Sequence, residues 1–409
     1  MRKDLSWLGA RLAIDGDFVV AIPYGSGHIH DTFAATYALR EAASPPDGHG
    51  GGDPGASGAV ATHVSSPAGE ATAGREAGAV HRRFIHQRLN GDVFADPAAL
   101  IDNIARVTRH IHAKLIAEGA ADVDRRVLQL VPTRDGADFV IDEAGDYWRT
   151  FAFVEGATTY DVVATPGQAF EVARAFGAFQ RQLADLPPPP LAVTIPGFHD
   201  TPERLAAFER AAGADACGRA AGAAEEIRAL RAQAPLAGTL QRLQHDGALP
   251  LRIAHNDTKI NNVLIDDETG EGLCVIDLDT VMPGLALDDF GDLVRTGTCF
   301  AREDDRDLSK AVVQLPIFEA LVRGYLGAAA GFLAPAEIAN LVLAGKVMTY
   351  ETALRFLTDH LRGDSYFRIH HEGHNLDRAR VQLALLDSIT AHEEAMQEIV
   401  DAAAAEVGC

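Results

Sequence analysis

The sequence lacks the marks of exported, zinc-binding and membrane-spanning proteins. Its four cysteines lie far apart and form no Cys-x-x-Cys pair, so neither a zinc site nor a disulfide framework is expected. No run of about 18 apolar residues occurs, and the N-terminal stretch lacks the apolar core of a signal peptide. We therefore expect a soluble cytoplasmic protein whose thiols are reduced.

Positive charge is also scarce. The chain has 36 Lys and Arg residues against 58 Asp and Glu residues, and its formal net charge is −22. Nucleic acids and anionic membranes bind to basic surfaces, so neither is expected as a partner. An anionic ligand would need locally arranged cations, backbone N–H groups or metal ions.

The hydrophobic pattern divides the 409 residues into two parts. Residues 1–156 predict a small, mostly antiparallel sheet with one helix, and residues 157–409 are mainly helical. The predicted fold class is therefore α+β, with a sheet-rich N-terminal lobe, a helical C-terminal lobe and a cleft between them, where small-molecule sites usually lie. The expected strands lie within 17–39 and at 81–90, 126–133 and 147–156, and the expected helices at 97–117, 172–183, 203–212, 221–233, 311–326, 335–361 and 376–404.

Residues 44–79 interrupt this pattern. They are rich in Gly, Ala and Ser and have no apolar period. We expect a flexible insertion at a hairpin tip, where added length costs little closure entropy.

One β-rich stretch, residues 251–284, lies within the helical part. Its short runs "VLID" and "CVID" predict two strands joined by an acidic, glycine-containing turn. Pairing these strands would bring Asp277 and Asp279 close to Asp257 and Asn262. The carboxylates would repel one another unless a cation bound between them, and oxygen ligands of this kind suit Mg²⁺.

His255, Asp257 and Asn262 resemble the His-x-Asp-x₄-Asn catalytic loop of protein kinases and aminoglycoside phosphotransferases. Asp277 lies where the metal-binding aspartate of those enzymes lies. The resemblance combines the spacing, the strand–turn–strand context and the second acidic motif, so it is more specific than any one of them. It implies a two-lobed, protein-kinase-like fold with ATP as the phosphate donor.

The same resemblance implies a role for each polar residue of the loop. Asp257 would accept the proton of the attacking hydroxyl, and Lys259 would offset charge on the transferring phosphoryl group. Asn262 and Asp277 would hold Mg²⁺ on the ATP phosphates, and Asp279 is expected to be a second metal ligand. Three further residues, His255, Asp289 and Asp292, are expected to brace the loop.

Longer stretches narrow the family. "HNDTKINNVLID", "VIDLDTVMPG", "DDFGDLVR", "ALRFLTDHLRGDSYF" and "EGHNLDRARVQ" resemble the N-acetylhexosamine 1-kinases within the aminoglycoside phosphotransferase family. The resemblance covers most of the chain outside residues 44–79. It implies transfer of the γ-phosphate of ATP to the anomeric hydroxyl of N-acetylglucosamine or N-acetylgalactosamine.

The resemblance also implies contacts with the sugar. His28 and Asp31 in the first hairpin, and Arg355 and Tyr366 near the C-terminus, would reach the sugar hydroxyls or the acetamido group. From the residues alone, Arg355 could equally pair with Asp359, four residues along the same helix. His28 and Asp31 could equally stabilise the hairpin turn.

On the nucleotide side the sequence departs from the kinase pattern. A glycine-rich turn is present, but its third glycine position holds a histidine, His30. The third strand has no lysine for the phosphates: Gln87 and Arg88 stand there, and alternation allows only one of them to face the cleft. The helix at 97–117 also lacks the glutamate that would pair with such a lysine. The predicted nucleotide contacts are therefore Gly25, Ser26, Gly27, Gln87 or Arg88, and the backbone at Val154 and Glu155, and the phosphate anchor stays open.

Other functions remain possible from the sequence. The acceptor could be N-acetylmuramic acid, an aminoglycoside or an amino alcohol, although the C-terminal arginines disfavour a polycation. A nucleotide-binding regulator without turnover is the non-enzyme alternative. The histidines of "IHHEGHN" at 369–375 suggest zinc but do not match His-Glu-x-x-His. A monomer or a small homo-oligomer is expected.

Overall fold

The computed structural model describes residues 4–25, 29–39 and 80–408. The predicted insertion at 44–79 and the turn residues Ser26, Gly27 and His28 lie outside these ranges. Nothing is added to those predictions by the structure.

In the residues that the structure describes, the N-terminal part is a five-stranded antiparallel sheet with three helices. Its elements are α1 (Ser6–Arg11), β1 (Gly16–Pro23), β2 (Asp31–Leu39), β3 (His81–Arg88), α2 (Pro97–Ala117), α3 (Val123–Arg126), β4 (Val140–Ile141) and β5 (Tyr147–Ala152). The strand order is β1-β2-β3-β5-β4, which confirms the predicted antiparallel sheet.

The strand predicted at 126–133 is wrong. The segment begins with the end of α3 and then forms only isolated bridges, such as that between Leu130 and Phe151 on β5. Pro132 has no N–H to continue a ladder, and β4 pairs with the rest of that edge of β5.

The two faces of the sheet have different surroundings. Phe33, Tyr37, Phe84 and Trp148 lie on one face and pack in a core with the leucines in and beside α1, Leu5, Leu8 and Leu12. The opposite face carries Thr32, Gln87 and Arg149, which are register partners across β2, β3 and β5. Partner residues on antiparallel strands point to the same side, so these three side chains form one polar row.

The predicted helix at 97–117 is confirmed as α2. Asp96 caps it by accepting the N–H of Ala99 at 3.0 Å, and Pro97 occupies the first turn, where its missing N–H costs nothing. The expected apolar face is buried. It contributes Leu100, Ile104, Val107, Ile111 and Leu115 to a large core shared with the C-terminal helices.

The C-terminal part is mainly helical. Its elements are β6 (Ala157–Thr158), α4 (Pro166–Leu183), α5 (Thr201–Ala214), α6 (Ala224–Ala232), α7 (Thr239–His245), β7 (Arg252–Ala254), β8 (Val263–Asp266), β9 (Gly272–Val275), β10 (Met282–Gly284), α8 (Ala286–Gly297), α9 (Leu315–Ala329), α10 (Pro335–Ala339), α11 (Leu341–Arg362), α12 (His374–Ala391) and α13 (Glu393–Glu406). The predicted helices all exist, but those at 335–361 and 376–404 are each divided in two, at Asn340 and His392.

The β-rich stretch at 251–284 positions the site. β8 and β9 form the predicted hairpin, with Val263 opposite Val275. β10 returns to pair with β7, with Met282 opposite Ala254. The loop after β7 and the segment after β9 are therefore neighbours. The sequence prediction of this arrangement is confirmed.

No helix in the described parts of the chain combines the length and the apolar composition that crossing a membrane requires.

Candidate active site

One buried carboxylate holds the loop after β7. Asp289, in the first turn of α8, accepts the N–H groups of His255 at 2.9 Å and Asn256 at 2.6 Å. Asn256 has a φ of 65°, in the left-handed region that asparagine tolerates better than most residues. Its amide group donates to the carbonyl oxygens of Ala254 and Thr280, which fixes this turn. Asp289 braces the loop as the sequence predicts.

His255 ties the loop to the segment after β9. Its Nδ1 accepts the N–H of Asp257 at 3.3 Å, so its Nε2 carries the proton and donates to the Ile276 carbonyl at 2.9 Å. The ring packs edge-on against Phe176 and Phe179. His255 is therefore a bracing residue, as predicted.

Asp257, Lys259, Asn262 and Asp277 meet at the floor of the cleft. Lys259 Nζ lies 2.8 Å from Asp257 Oδ1, and Asn262 Nδ2 donates to the Asp257 carbonyl at 2.8 Å. The Asn262 carbonyl accepts the N–H of Ile276 at 2.9 Å, which places Asp277 beside it. Asp277 has a φ of 60°, a left-handed conformation that is costly for a non-glycine residue and is often found at functional sites.

The charges of this cluster act on one another. Burial opposes ionisation of Asp257, but the positive charge of Lys259 outweighs it and lowers the pKa of Asp257. Desolvation by the surrounding protein likewise opposes the charged form of Lys259, but the charge of Asp257 outweighs it and raises the pKa of Lys259. The surrounding protein atoms and the charges of Asp279 and Asp257 raise the pKa of Asp277. Unlike Asp257, Asp277 forms no ion pair with any of the described residues.

Asp279 is placed differently from Asp277. Its side chain is buried, and both of its oxygens accept from the Arg149 guanidinium, with Nη2 2.9 Å from Oδ2. His30 accepts the N–H of Asn90 on Nδ1, so its Nε2 donates to Asp279 at 2.9 Å. Burial would raise the pKa of Asp279, but the charge of Arg149 outweighs it and lowers that pKa. Both oxygens of Asp279 have protein partners in this arrangement, so its predicted role as a metal ligand would require Asp279 to exchange a partner and stays a prediction.

Arg88 also differs from its predicted role. It lies on the face of the sheet opposite Gln87 and pairs with Asp31 and with Asp146, the latter at 2.7 Å. That placement points it away from the cluster at the cleft floor. Arg88 also gives Asp31 a structural partner, which agrees with the alternative that Asp31 stabilises the hairpin. Gln87 faces the cleft, and its Oε1 accepts from Arg149 Nε at 2.9 Å.

The segment after β5 borders the cleft. The Glu155 carbonyl accepts from Arg125 at 3.1 Å, and the Glu155 carboxylate pairs with Arg83. Within residues 4–25, 29–39 and 80–408, the backbone of Val154 makes no hydrogen bond. Val154 is therefore the better placed of the two for the adenine contact, which stays a prediction, as does the role of Gly25.

Arg355 is not paired with Asp359. Asp359 accepts the N–H groups of residues 365–367, at 3.0, 2.8 and 2.9 Å, and so fixes the loop that carries Tyr366. Arg355 instead lies over the rings of Phe198 and Phe367, at 5.4 and 5.6 Å from their centroids. Tyr366 is 70% exposed. Tyr366 is thus open to a ligand and Arg355 is half-buried, and their contact with a sugar stays a prediction.

A buried acid–base pair lies beneath Arg355. Glu351 accepts from His199 Nδ1 at 2.8 Å and from Thr201 at 2.6 Å. Burial would lower the pKa of His199, but the charge of Glu351 outweighs it and raises that pKa to about 9. His199 Nε2 also donates to the Asn256 carbonyl at 2.8 Å. His199 thereby links Glu351, one turn before Arg355 on α11, to the loop after β7.

Comparison with known families is informative once this geometry is established. Residues 94–316 match the model of the phosphotransferase enzyme family, known as APH. This match spans more than half of the chain. The chain belongs to the phosphotransferase enzyme family. Its antiparallel sheet and helical C-terminal part are the kinase-like fold of that family, and it is a small-molecule phosphotransferase.

Solved structures of other kinases are similar at low identity. A microcompartment-associated aminopropanol kinase is 16% identical with a TM-score of 0.49, covering 96% of this chain and 97% of that one. A spectinomycin phosphotransferase in complex with ADP and spectinomycin is 12% identical with a TM-score of 0.48, covering 97% and 96%. A choline kinase from Cryptosporidium parvum Iowa II is 14% identical with a TM-score of 0.44, covering 95% and 91%.

The cluster of this phosphotransferase fits a divalent cation. Members of the family use ATP with a divalent metal ion, generally Mg²⁺. Asn262 turns its amide nitrogen to Asp257, and among the described residues its Oδ1 has no donor. Asp277 makes no ion pair within the same ranges and lies open to the cleft. A carboxylate and an amide oxygen without protein partners are the hard ligands that Mg²⁺ prefers.

A histidine-rich cluster does not fit a metal. Asp304 lies 3.3 Å from His374 Nε2 and 4.0 Å from His371 Nε2. However, His374 Nδ1 accepts the N–H of His370, so Nε2 carries the proton. A metal on that nitrogen would remove this proton and leave two protons facing each other at Nδ1. Zinc at this cluster would therefore require His374 to change its proton arrangement.

Sequence reasoning missed Arg149 and His199. A single arginine inside the apolar strand "YWRTFA" is a signal that could have marked Arg149, because a charge on a sheet face needs a partner. His199 follows the proline-rich end of α4 in a stretch without a motif. No local pattern indicates its pairing with Glu351.

Proposed function

We propose that this phosphotransferase moves the γ-phosphate of ATP to a sugar hydroxyl, the anomeric hydroxyl of N-acetylglucosamine or N-acetylgalactosamine. The observation that supports transfer most is the meeting of Asp257, Asn262 and Asp277 at one point of the cleft floor. The sugar assignment rests on the sequence resemblance and on the exposure of Tyr366, with the half-buried Arg355 stacked on Phe198 and Phe367.

Asp257 acts as the acceptor of the hydroxyl proton. Lys259 keeps the pKa of Asp257 low, so the Asp257 carboxylate is ionised at neutral pH. The backbone N–H bonds to Asp289 fix the loop, and the N–H of Asp257 is fixed by His255, which limits the orientations of the carboxylate. A base held in position gains from proximity and needs little covalent chemistry from the protein.

Lys259 faces the same point as Asp257. Its side chain is 46% exposed, so its charge is available to the transferring phosphoryl group as well as to Asp257. Mg²⁺ held by Asn262 and Asp277 would offset the negative charge of the ATP phosphates. Asp292 lies near Lys259 but forms its own ion pair with Arg295 at 2.7 Å.

A carboxylate-bearing sugar such as N-acetylmuramic acid is the second candidate acceptor. Arg204 lies close enough to Arg355 for their charges to repel, and burial together with Arg355 lowers the pKa of Arg204. Arg204 donates to the carbonyls of Gly197 and Phe198, and its Nε is buried without a partner among the described residues. Two neighbouring guanidinium groups favour an anionic group on the acceptor and disfavour aminoglycosides and amino alcohols.

An acceptor panel tests the proposal. ADP release from ATP is measured with and without Mg²⁺ for N-acetylglucosamine, N-acetylgalactosamine, N-acetylmuramic acid, glucose, an aminoglycoside and choline, followed by phosphorus NMR of the product. An anomeric phosphate of either N-acetylhexosamine supports the first candidate. Turnover of N-acetylmuramic acid alone supports the second. Turnover restricted to the aminoglycoside or choline contradicts both, and nucleotide binding without any turnover indicates a regulator.

A further inference from the structure

The cleft face of the N-terminal sheet carries an unusual set of cations. Its five strands contain no lysine, and their arginines are Arg82, Arg83, Arg88 and Arg149. The strand register places Arg82 and Arg88 on the face away from the cleft. Arg83 pairs with Glu155 at the connecting segment. Arg149 is the arginine of this sheet that reaches the acidic cluster.

Arg149 lies beside the position expected to hold a lysine. It is the register partner of Gln87, which occupies that position on β3, and its Nε donates to Gln87 Oε1 at 2.9 Å. Its two terminal nitrogens reach Asp279. The guanidinium therefore comes from β5, the strand next to the one expected to carry the lysine. Both positions lie on the same face of the sheet.

Its acidic partner is also displaced. In protein kinases the strand lysine pairs with a glutamate on the N-terminal helix. Here the carboxylate comes from Asp279, two residues after Asp277, and it accepts from His30 as well. Asp279 is thus held by two groups of the N-terminal part, Arg149 and His30, and lies two residues after Asp277.

We propose, on the basis of the phosphotransferase function above, that Arg149 is the phosphate anchor and exchanges partners when the nucleotide binds. Without ligand, Arg149 and Asp279 neutralise each other. With Mg²⁺-nucleotide, Arg149 turns to the phosphates and Asp279 turns to the cation that accompanies them. The exchange replaces one buried ion pair by two, so no buried charge is left without a partner, which is the costly outcome.

The chemistry of the two groups suits this exchange. A guanidinium presents paired donors that match a phosphate as well as a carboxylate. The carboxylate of Asp279 is a hard oxygen donor that matches Mg²⁺ as well as a guanidinium. The alternative is that the Arg149–Asp279 pair only braces the sheet against the acidic segment. In that case Arg149 would make no specific contribution to the binding of the nucleotide phosphates.

Calorimetry of nucleotide binding distinguishes the two. In Arg149→Met we expect the affinity for ADP to fall at least tenfold and the affinity for adenosine, which has no phosphate, to change less than twofold. Arg252→Met is the matched control, because Arg252 forms a comparable pair with buried Glu337 on the far side of β7. It should lose stability and keep both affinities. Equal losses of ADP and adenosine affinity in Arg149→Met, or no loss, would overturn the proposal.

Asp279→Asn tests the exchange itself. The asparagine keeps an oxygen for His30 but releases Arg149, so binding of ADP in EDTA should tighten several-fold. The gain in ADP affinity on adding Mg²⁺ should shrink. Weaker metal-free binding, the same sign as in Arg149→Met, would show a brace and refute the exchange. The double variant Arg149→Met/Asp279→Asn removes both charges, and it should fold and still bind ADP poorly; wild-type ADP affinity in it would refute the anchor.

The outcomes separate this inference from the proposed function. A wild-type chain that turns over a sugar while Arg149→Met keeps its ADP affinity upholds the function and overturns the anchor. A wild-type chain that binds neither ATP nor ADP overturns both.

Discussion

Removing the carboxylate of Asp289 tests how the catalytic loop is held. Asp289 is fully buried and accepts two backbone N–H groups, of His255 and Asn256, and the amide of Gln180 at 2.5 Å. In Asp289→Ala both N–H groups lose their acceptor in the protein interior. Each such loss costs about 1–3 kcal/mol. Removing a buried carboxylate recovers part of this cost, because burial disfavours its charge and raises its pKa.

We therefore expect Asp289→Ala to lower the free energy of unfolding by about 3 kcal/mol. Urea unfolding followed by circular dichroism measures this, with an unchanged m-value showing that the comparison is valid. Asp96→Ala is the matched control, because it removes one exposed helix cap worth about 1 kcal/mol. Turnover should also fall at temperatures where the variant is still folded, because Asp257 belongs to the loop that Asp289 no longer holds in place.

A loss no larger than that of Asp96→Ala would refute the reasoning. It would mean that the two N–H groups find water or another acceptor. The loop would then be held by the hairpin of β8 and β9 and not by Asp289.

Three further predictions follow from the electrostatics of the site. In Lys259→Met the acidic limb of kcat/KM against pH should move to higher pH, because the cation that lowers the pKa of Asp257 is gone. An unmoved limb would show that Lys259 does not set the pKa of the group that limits the rate. In Asp359→Ala the KM for the acceptor should rise about tenfold with little change in kcat, since the tyrosine-bearing loop loses its N–H acceptor; an unchanged KM would remove the loop from acceptor binding. The wild-type chain should lose stability between pH 6.5 and about 9, because the raised pKa of His199 stabilises the fold fully below 6.5 and not above 9. His199→Gln, which lacks the charge that pairs with Glu351, should flatten this slope in urea unfolding at a series of pH values, and an unchanged slope would contradict the assignment.

The fold could be predicted because its signals are local. The apolar face of α2 repeats every turn, and the hairpin of β8 and β9 is fixed by two apolar runs and a glycine turn. The hairpin is short, so the residues just before β8 and just after β9 must lie side by side, and the sequence spacing shows which residues these are. The meeting of Asp257 and Asp277 was therefore within reach of sequence reasoning.

The charge pairing of the site could not be predicted in the same way. Arg149 and Asp279 are 130 residues apart, and His30 and Asp279 are 249 apart. Their contact depends on how the sheet lies over the acidic segment, which no local pattern encodes. Local reasoning also offered Asp359 as a partner of Arg355, whereas three backbone N–H groups of the following loop take that carboxylate.

Single-turnover kinetics of Asp257→Asn tests the central claim most directly. Saturating Mg²⁺-ATP is mixed with enzyme in excess over N-acetylglucosamine, and the sugar phosphate is quantified for the variant and for the wild-type chain, with ADP affinity and urea unfolding measured in parallel. We predict that ADP affinity and stability change little, while phosphate transfer falls at least a thousandfold. Transfer at the wild-type rate by the folded variant would contradict the account, because a cluster built around Asp257 would then not be the site of the chemistry.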